Sequence, residues 1–392
     1  MFCQQSNNGY WKFENTKINL IRGEVFCMRL LIIAPEQIPV PPPMGGSVEH
    51  CIYEIARRFS SSHHVTIISK WRSGYAKTSK MGHVTIHRIT ASSSKNYLSK
   101  AIHKAKGMAF DRIQIDNRPK FVPAVKKAFP SIPISVFLHS TTFISAPMTT
   151  ISQANKDFKG ADLLIGNSIS LEHHLKATFP HHSHKVRHVH LGVDVTQYRP
   201  SARRQAGSHP FTVVYAGRLI PKKGIPVLIR AMKKVRETVP SARLFIAGGT
   251  GKPSYKLHLK KLAGTLGVPV TFKGNVKHSK MPAFYASGDC FVCPSQGHEA
   301  FGLVNVEAMA SGLPAVASRN GGIPEIITHR QNGLLVTDYR SPDAFAKEIV
   351  AVATEPGLAR RLSTRAREDV LQKFSWKATA QKLQAIYISK LR

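Results

Sequence analysis

Nothing in this chain of 392 residues is long and apolar enough to cross a membrane as a helix. Its apolar runs, such as Leu30 to Ala34, are strand-sized, against the roughly 18 residues a span needs. Acidic residues are scarce: 22 Asp and Glu stand against 56 Lys and Arg, a formal charge of +34 at pH 7 with 19 histidines in reserve. Five unevenly spaced cysteines lay out no disulfide framework, which points to a reducing, cytoplasmic compartment. The first 27 residues lack the apolar core of a signal peptide and read as a disordered upstream extension not needed for function. No solenoid repeat, helix-turn-helix, zinc finger or RNA-binding signature is present, so nucleic acid is not an expected partner despite the charge. The charge leaves phosphorylated substrates and an anionic membrane surface as candidate partners, and a basic proteome gives the same balance with no partner at all.

What is present is a fold pattern. A hydrophobic fraction of 42% describes a globular protein, and the length suggests two domains. From Met28 onward, Val/Ile/Leu-rich runs alternate with amphipathic helical stretches: Arg29–Ala34, Val65–Ser69, Arg112–Ile115, Ile134–Leu138, Leu163–Asn167 and Val186–His190. Such alternation predicts a doubly wound parallel sheet over residues 28–197. Residues 198–210 are polar, carry two prolines and read as a linker. The pattern then restarts over 211–374, with strands at Phe211–Ala216, Arg243–Ala247, Val270–Lys273, Cys290–Cys293, Ala315–Ser318 and Gly333–Val336. Helices are expected at Ile225–Val239, Leu303–Ala310, Ser341–Thr354 and Gly357–Leu391, the last interrupted near Phe374-Ser375. Residues 375–392 are expected to pack back toward the first domain. Two Rossmann-like halves of this kind face each other across a ligand cleft at the carboxyl edges of their sheets.

Three segments carry chemistry. Gly297-His298-Glu299-Ala300-Phe301-Gly302-Leu303 through Glu307 follows a strand and opens a helix. Free amides and the positive dipole end there suit a diphosphate, and Gly302 lets the backbone approach it. Glu299 and Glu307 can accept hydrogen bonds from hydroxyl-rich groups; the plainer alternative is one solvated and one capping glutamate. Gly217-Arg218-Leu219-Ile220-Pro221-Lys222-Lys223-Gly224 ends the first strand after the linker, where two cations can clamp a leaving pyrophosphate. Pro41-Pro42-Pro43-Met44-Gly45-Gly46-Ser47-Val48-Glu49 brings a glycine pair into a helix, a second anion-friendly start, or else a plain turn capped by Ser47.

Other features are set aside. Cys290 and Cys293 have redox spacing, but on a strand they point to opposite faces. The histidines at 181, 182, 184, 188 and 190 could bind a metal, but no Cys or carboxylate accompanies them, and they read as exposed loop and strand residues. The basic helix around Arg230, Lys233, Lys234 and Arg236 is able to rest on anionic lipid, though a solvated face explains it equally.

Taken together, the segments resemble the family 4 retaining glycosyltransferases, whose fold is GT-B. Glu299 and Glu307 fall on that family's E-x7-E motif, Arg218 and Lys223 on its G-R-L-x-x-x-K-G loop, and Gly45-Gly46 with Glu49 on its N-terminal glycine-pair element. Val193-Asp194 is similar to its N-G-V-D element, with Leu191 in the place of Asn. Gly321-Gly322-Ile323-Pro324-Glu325 and Asn332-Gly333-Leu334-Leu335-Val336 are also typical. The stretch from Leu138 to Phe143 resembles a bacterial subgroup that includes spore-coat-associated glycosyltransferases.

The resemblance implies roles. Arg218 and Lys223 would hold the donor diphosphate with the amides of Gly302 and Leu303, Glu307 the ribose, and Glu299 with Phe301 the donor sugar. Asn275 and Val276 would lie along the base, Gly46 would approach the phosphates from the opposite domain, and His139 would meet the transferred sugar, unless it is a satisfied strand-end histidine. The donor would be a nucleotide sugar, a UDP-sugar first, and the acceptor a glycan or lipid-linked molecule of the cell surface or spore. With no Asp-x-Asp element, Arg218 and Lys223 would replace a metal and no cofactor is expected. A nucleotide-sugar epimerase of the same fold, or a coat protein that keeps the fold without activity, are the competing functions.

Overall fold

The computed structural model describes residues 27–200 and 209–389, together with three short antiparallel strands, Gln4–Gln5, Trp11–Phe13 and Thr16–Lys17. The disordered extension expected over 1–27 and the middle of the linker expected over 198–210 otherwise lie outside the described residues.

Two sheets organise the rest. The first has eight strands in the spatial order Val186–His188, Leu163–Gly166, Ile134–Leu138, Arg112–Asp116, Arg29–Ile33, His64–Lys70, Val84–Ile89 and Thr78–Met81. All neighbours are parallel except the last pair. That edge hairpin has no counterpart among the expected strands. Thr78–Met81 is short, polar and largely exposed, so no apolar run announces it. The second sheet is wholly parallel, in the order Val270–Gly274, Arg243–Ala247, Thr212–Ala216, Cys290–Cys293, Ala315–Ser318 and Leu334–Val336. Central strands such as Ile134–Leu138 and Thr212–Ala216 are buried along their whole length, as helices on both faces require. Cys290 and Cys293 take opposite faces and join different cores, both as free thiols.

In the second sheet the winding reverses between Thr212–Ala216 and Cys290–Cys293. A crevice opens at that switch point beyond the carboxyl ends of the strands. The loops that leave those two strands are the Arg218–Lys223 and Glu299–Gly302 segments. In the first sheet the strands Arg29–Ile33, Arg112–Asp116 and Ile134–Leu138 deliver the Gly46, Asn117 and His139 loops to the facing edge.

The chain crosses between the domains twice, side by side. Val193 donates its amide to the Phe374 carbonyl at 2.9 Å, and a Cβ on Gly192 would stand 2.2 Å from the carbonyl carbon of Ser375. Only glycine permits that approach. After the crossing, helix Trp376–Ile388 packs on helix Ser47–Phe59 of the first domain. Tyr387 is fully buried there; its hydroxyl donates to Gln114 Oε1 at 2.7 Å and accepts from Ser135 Oγ at 3.0 Å. Arg367 ties the crossing to the second domain, donating to the carbonyls of Val195, Tyr198 and Ala310. Among the described residues no helix is long and apolar enough to cross a membrane.

Candidate active site

The loop after Thr212–Ala216 is held by backbone bonds and by the Tyr215 hydroxyl, which donates to the Arg218 carbonyl at 3.1 Å. Gly217 donates to Ala247 and Leu219 to the Gly249 carbonyl. The turn Pro221–Lys223 then ends on Gly224, at φ 70°, which starts helix Ile225–Thr238. A Cβ on Gly224 would lie 1.8 Å from the Pro294 carbonyl oxygen, so the glycine is what lets this loop press against the next. Gln296 and Gly297 complete the junction by donating to the Lys222 carbonyl. Arg218 is exposed, and among the described residues its guanidinium makes no ion pair or hydrogen bond. Such a cation at a strand's carboxyl edge is available to a ligand.

Lys223 is bonded to Glu299 across the junction. Ser295 Oγ donates to the same carboxylate oxygen at 2.8 Å. Burial works to raise the Glu299 carboxyl, but Lys223, Ser295 and Lys222 outweigh it and hold it below the ordinary value. Glu299 is therefore a carboxylate at neutral pH. From behind, Gly322 donates to the Glu299 carbonyl at 2.8 Å, and a Cβ on Gly321 would stand 2.1 Å from that oxygen.

Gly302, at φ 93°, begins helix Leu303–Ala310 with no side-chain cap, which leaves the first amides of an eight-residue helix for a ligand. Glu307, inside that helix, is buried and accepts from Tyr285 at 2.7 Å. Burial drives its carboxyl up to about 7 against the pull of that hydroxyl. Neither glutamate is thus the solvated or capping residue that the plainer reading of this segment supposed.

In the first domain, Gly46 starts helix Ser47–Phe59 at φ 64°, also with no side-chain cap. The turn capped by Ser47 does not form. A Cβ on Gly46 would stand 2.9 Å from Pro42 Cβ and 3.0 Å from Glu49 Oε2. Glu49 is buried, and burial pushes its carboxyl up to about 7.

His139 follows strand Ile134–Leu138. Its Nε2 bonds Asp116 Oδ1 at 3.0 Å, its amide donates to Asn117 Oδ1, and its ring stacks on Phe137. Asp116 Oδ2 accepts from Gln114 Nε2 at 2.7 Å, and Gln114 Oε1 takes the Tyr387 hydroxyl. A buried chain of hydrogen bonds thus runs from the last helix to the His139 ring. Asn117 sits at φ 55°, an unfavourable conformation for a non-glycine residue, held between these partners.

One cavity between the domains is lined by Ser47, Cys51, His139, Asn167 and Leu191 from the first domain and by Glu299, Phe301, Gly302 and Leu303 from the second. The structure therefore gathers His139, Glu299, Phe301, Gly302 and Leu303, with Gly46 one residue away. Arg218 and Lys223 adjoin through the Lys223–Glu299 pair. Asn275 and Val276 do not line the cavity; Asn275 lies against Gly249 beside the Arg218 loop. Glu307 faces Tyr285, and the Phe301 ring packs between His190 and Phe374.

Sequence reading missed the partners Asp116 and Tyr285, each more than twenty residues from the residue it serves, and Ser295, four residues before Glu299. It also expected no carboxylate beside the histidine cluster, whereas His188 is bonded to Glu172 and His190 donates to Glu325 at 2.7 Å.

Comparison with known proteins agrees with this architecture. Residues 199–369 match the family described as "Glycosyl transferases group 1". The "Putative glycosyltransferase YtcC" of Bacillus subtilis (strain 168) is 29% identical over 382 residues, 93% of each chain. "Spore coat protein SA" of the same organism is 27% identical over 379 residues, 92% of this chain and 99% of the relative. Among solved structures, Anabaena Alr3699/HepE in complex with UDP-glucose superposes with a TM-score of 0.75 at 22% identity, covering 92% of this chain and 100% of that one. The fold is GT-B: two Rossmann-like domains facing a cleft.

Proposed function

We propose that this chain is a retaining glycosyltransferase of family 4. It moves a sugar from a nucleotide-diphosphate donor, a UDP-sugar, to a glycan or lipid-linked acceptor of the cell surface or spore, without a metal. Its place is the cytoplasm or the cytoplasmic face of the membrane. The observation that carries this reading is the convergence at one switch point of an exposed Arg218, the Lys223–Glu299 pair and the uncapped helix start at Gly302, opposite a buried Asp116–His139 pair. Cations and amides there neutralise a diphosphate, and carboxylates accept from sugar and ribose hydroxyls. The relative named as a glycosyltransferase and the UDP-glucose complex of the structural neighbour support the donor class.

In the proposed step the bond from the anomeric carbon to the diphosphate oxygen breaks, and its electron pair leaves on the nucleotide diphosphate. The acceptor hydroxyl oxygen bonds to the same face of that carbon and gives its proton to the departing phosphate. Arg218, Lys223 and the Gly302 and Leu303 amides stabilise the charge that builds on the leaving group. Glu299 opposes positive charge on the ring, and His139, fixed by Asp116, orients the sugar. Once a diphosphate competes for Lys223, the Glu299 carboxylate is freed to take a sugar hydroxyl. The acceptor approaches through the first domain. There a cavity of about 360 Å³ is lined by Arg118, Lys120, Phe143, Met148, Gln153 and Asp157 and offers hydrogen-bonding groups; its Arg118 lies over the Phe143 ring and donates to the carbonyl of Asn117, the residue that holds the His139 amide.

The test is turnover of a panel of nucleotide sugars by the purified chain, with the product resolved as glycoside, epimer or neither. Glu299→Ala should depress turnover far more than UDP affinity, and Arg218→Ala should weaken UDP binding. An epimer as product, equal activity in both variants, or activity lost to a chelator and restored by a divalent ion would each overturn the corresponding part.

A further inference from the structure

Glu325 joins the two domains at the mouth of the cleft. It ends the short turn Ile323–Glu325 of the second domain, directly after Gly321-Gly322, yet the partners of its carboxylate lie in the first domain. Oε2 accepts from the Ile169 amide at 2.8 Å and Oε1 from the Ser170 amide at 2.7 Å. These are the first two amides of helix Ile169–Thr178, and the third, from Leu171, goes to that helix's own cap, Ser168 Oγ, at 2.9 Å. The initial orphan donors of a first-domain helix are thus satisfied largely by a carboxylate of the second. Charge-assisted bonds at the positive end of a helix are among the stronger single contacts available to a surface carboxylate. His190, beyond the last strand of the first sheet, donates a third bond to Oε2 at 2.7 Å.

This junction is continuous with the cleft. Gly322 donates to the Glu299 carbonyl, and a Cβ on it would stand 3.1 Å from both the Phe301 Cα and Ser168 Cβ. The His190 ring, held by Glu325, stacks on Phe301 with centroids 5.7 Å apart. Ala300 packs into the first domain's core. Beside Glu325, His298 Nε2 meets Ser170 Oγ at 3.1 Å. The other described polar bridge over the cleft rim, His278 Nε2 to the Gly45 carbonyl at 2.8 Å, sits on the far side, where His278 stacks on His50.

We propose that Glu325 is a positioning residue: by capping helix Ile169–Thr178 of the opposite domain and holding His190 against Phe301, it latches the cleft shut and sets the sugar-side segment Glu299–Phe301 against His139. Opening the cleft leaves the Ile169 and Ser170 amides and the carboxylate to water, so closure carries its own favourable term and does not depend on ligand alone. The latch itself is independent of the transferase reading, which enters only through the kinetic effect.

The experiment uses the full chain and UDP as the probe. Two variants cut the latch from opposite sides. Glu325→Ala removes the acceptor. Ile169→Pro removes one donor at the first helical position, where proline is tolerated and the preceding Ser168 is already extended (φ −158°, ψ 163°). Small-angle scattering without ligand should show both variants larger than the parent by about 1–2 Å in radius of gyration, the scale of a hinge opening between domains. UDP should bind all three within about twofold, because Arg218 and Lys223 are untouched, while kcat falls about tenfold or more in both variants from misplacement of the reacting groups. Glu325→Gln, which keeps one acceptor, should fall between. Scattering curves of both variants that superimpose on the parent's would overturn the latch, with or without measurable turnover. If Glu325→Ala fails to fold, Ile169→Pro decides alone. An open Ile169→Pro chain in a protein with no sugar transfer would keep the latch and sink the function.

Discussion

The ammonium of Lys223 is bonded to the carboxylate of Glu299, seventy-six residues further along the chain. The two loops that resemble separate donor-binding motifs are therefore one unit before any ligand arrives. Both side chains are mostly shielded, at 19% and 16% exposure, whereas Arg218 is exposed. Removing the two cations should then have different consequences. Arg218→Ala should leave stability unchanged and weaken UDP binding about tenfold. Lys223→Ala should also weaken UDP binding, but should cost about 2–4 kcal/mol of stability because a shielded carboxylate loses its partner. Adding Glu299→Gln to Lys223→Ala should recover much of that stability. Chemical denaturation of the four proteins, with UDP calorimetry, checks this; equal loss of stability in the two cation variants would refute the coupling.

Gly321 tests how the Glu299 loop is held. At φ 58°, with a would-be Cβ 2.1 Å from the Glu299 carbonyl oxygen, it has neither the conformation nor the room for a side chain. The obstructing atom is backbone and cannot rotate away. Gly321→Ala should cost about 2 kcal/mol or more and displace the loop. Turnover should fall steeply while UDP, gripped by Arg218 on another loop, still binds. UDP affinity lost in parallel with turnover would place the damage elsewhere.

The strands were legible where burial on both faces imposes an unbroken apolar run. Ile134–Leu138, Cys290–Cys293 and Ala315–Ser318 fall at the expected residues, and helix Leu303–Ala310 begins on the expected glycine. Thr78–Met81 was not legible, because an exposed edge strand needs no such run. Of the site, the glycines and cations on strand-end loops were legible, since conformational need and charge show in single residues. Their partners were not. Asp116 for His139, Tyr285 for Glu307 and Glu325 for Ile169 are matched only by the fold, and no local period or spacing records a contact made across a sheet or between domains.

Tyr387 links the end of the chain to the site. Its hydroxyl opens the run through Gln114 and Asp116 to His139, and the Arg112 guanidinium lies over its ring at 4.8 Å. Tyr387→Phe keeps the ring and its packing but takes the donor from the buried Gln114 side-chain oxygen and leaves the Ser135 hydroxyl with the Ile113 carbonyl, 3.3 Å away. The expected cost is about 1–3 kcal/mol, with a several-fold fall in kcat as Gln114 and Asp116 lose their fixed orientation. UDP affinity should not change, because the run reaches the sugar-side His139 and not Arg218, Lys223 or the Gly302 and Leu303 amides proposed to hold the diphosphate. Denaturation midpoints and steady-state kinetics check both effects, and a variant with lowered stability and unaltered kcat would show that the run serves packing alone.

Glu307 gives the last prediction its sign. Burial lifts its carboxyl to about 7, against an ordinary 4.5, so the folded chain holds that proton more tightly than the unfolded one. Between those two values folding takes up a proton. The stabilisation is complete below about 4.5 and is lost as the pH rises through 7, to a ceiling of about 3 kcal/mol at one pKa unit per 1.36 kcal/mol. Glu307→Gln cannot ionise, and its amide oxygen can still accept from the Tyr285 hydroxyl. The variant should therefore melt a few degrees above the parent at pH 8 and level with it, or below, at pH 4.5. All other titrations, including the similarly raised Glu49, are common to both proteins and cancel in the difference. Donor binding should weaken in the variant if the Glu307 carboxylate takes ribose hydroxyls, so stability and affinity should move in opposite directions at pH 8. Thermal scans at the two pH values decide the matter: an offset between the proteins that does not change with pH would mean that Glu307 is not held protonated by its surroundings.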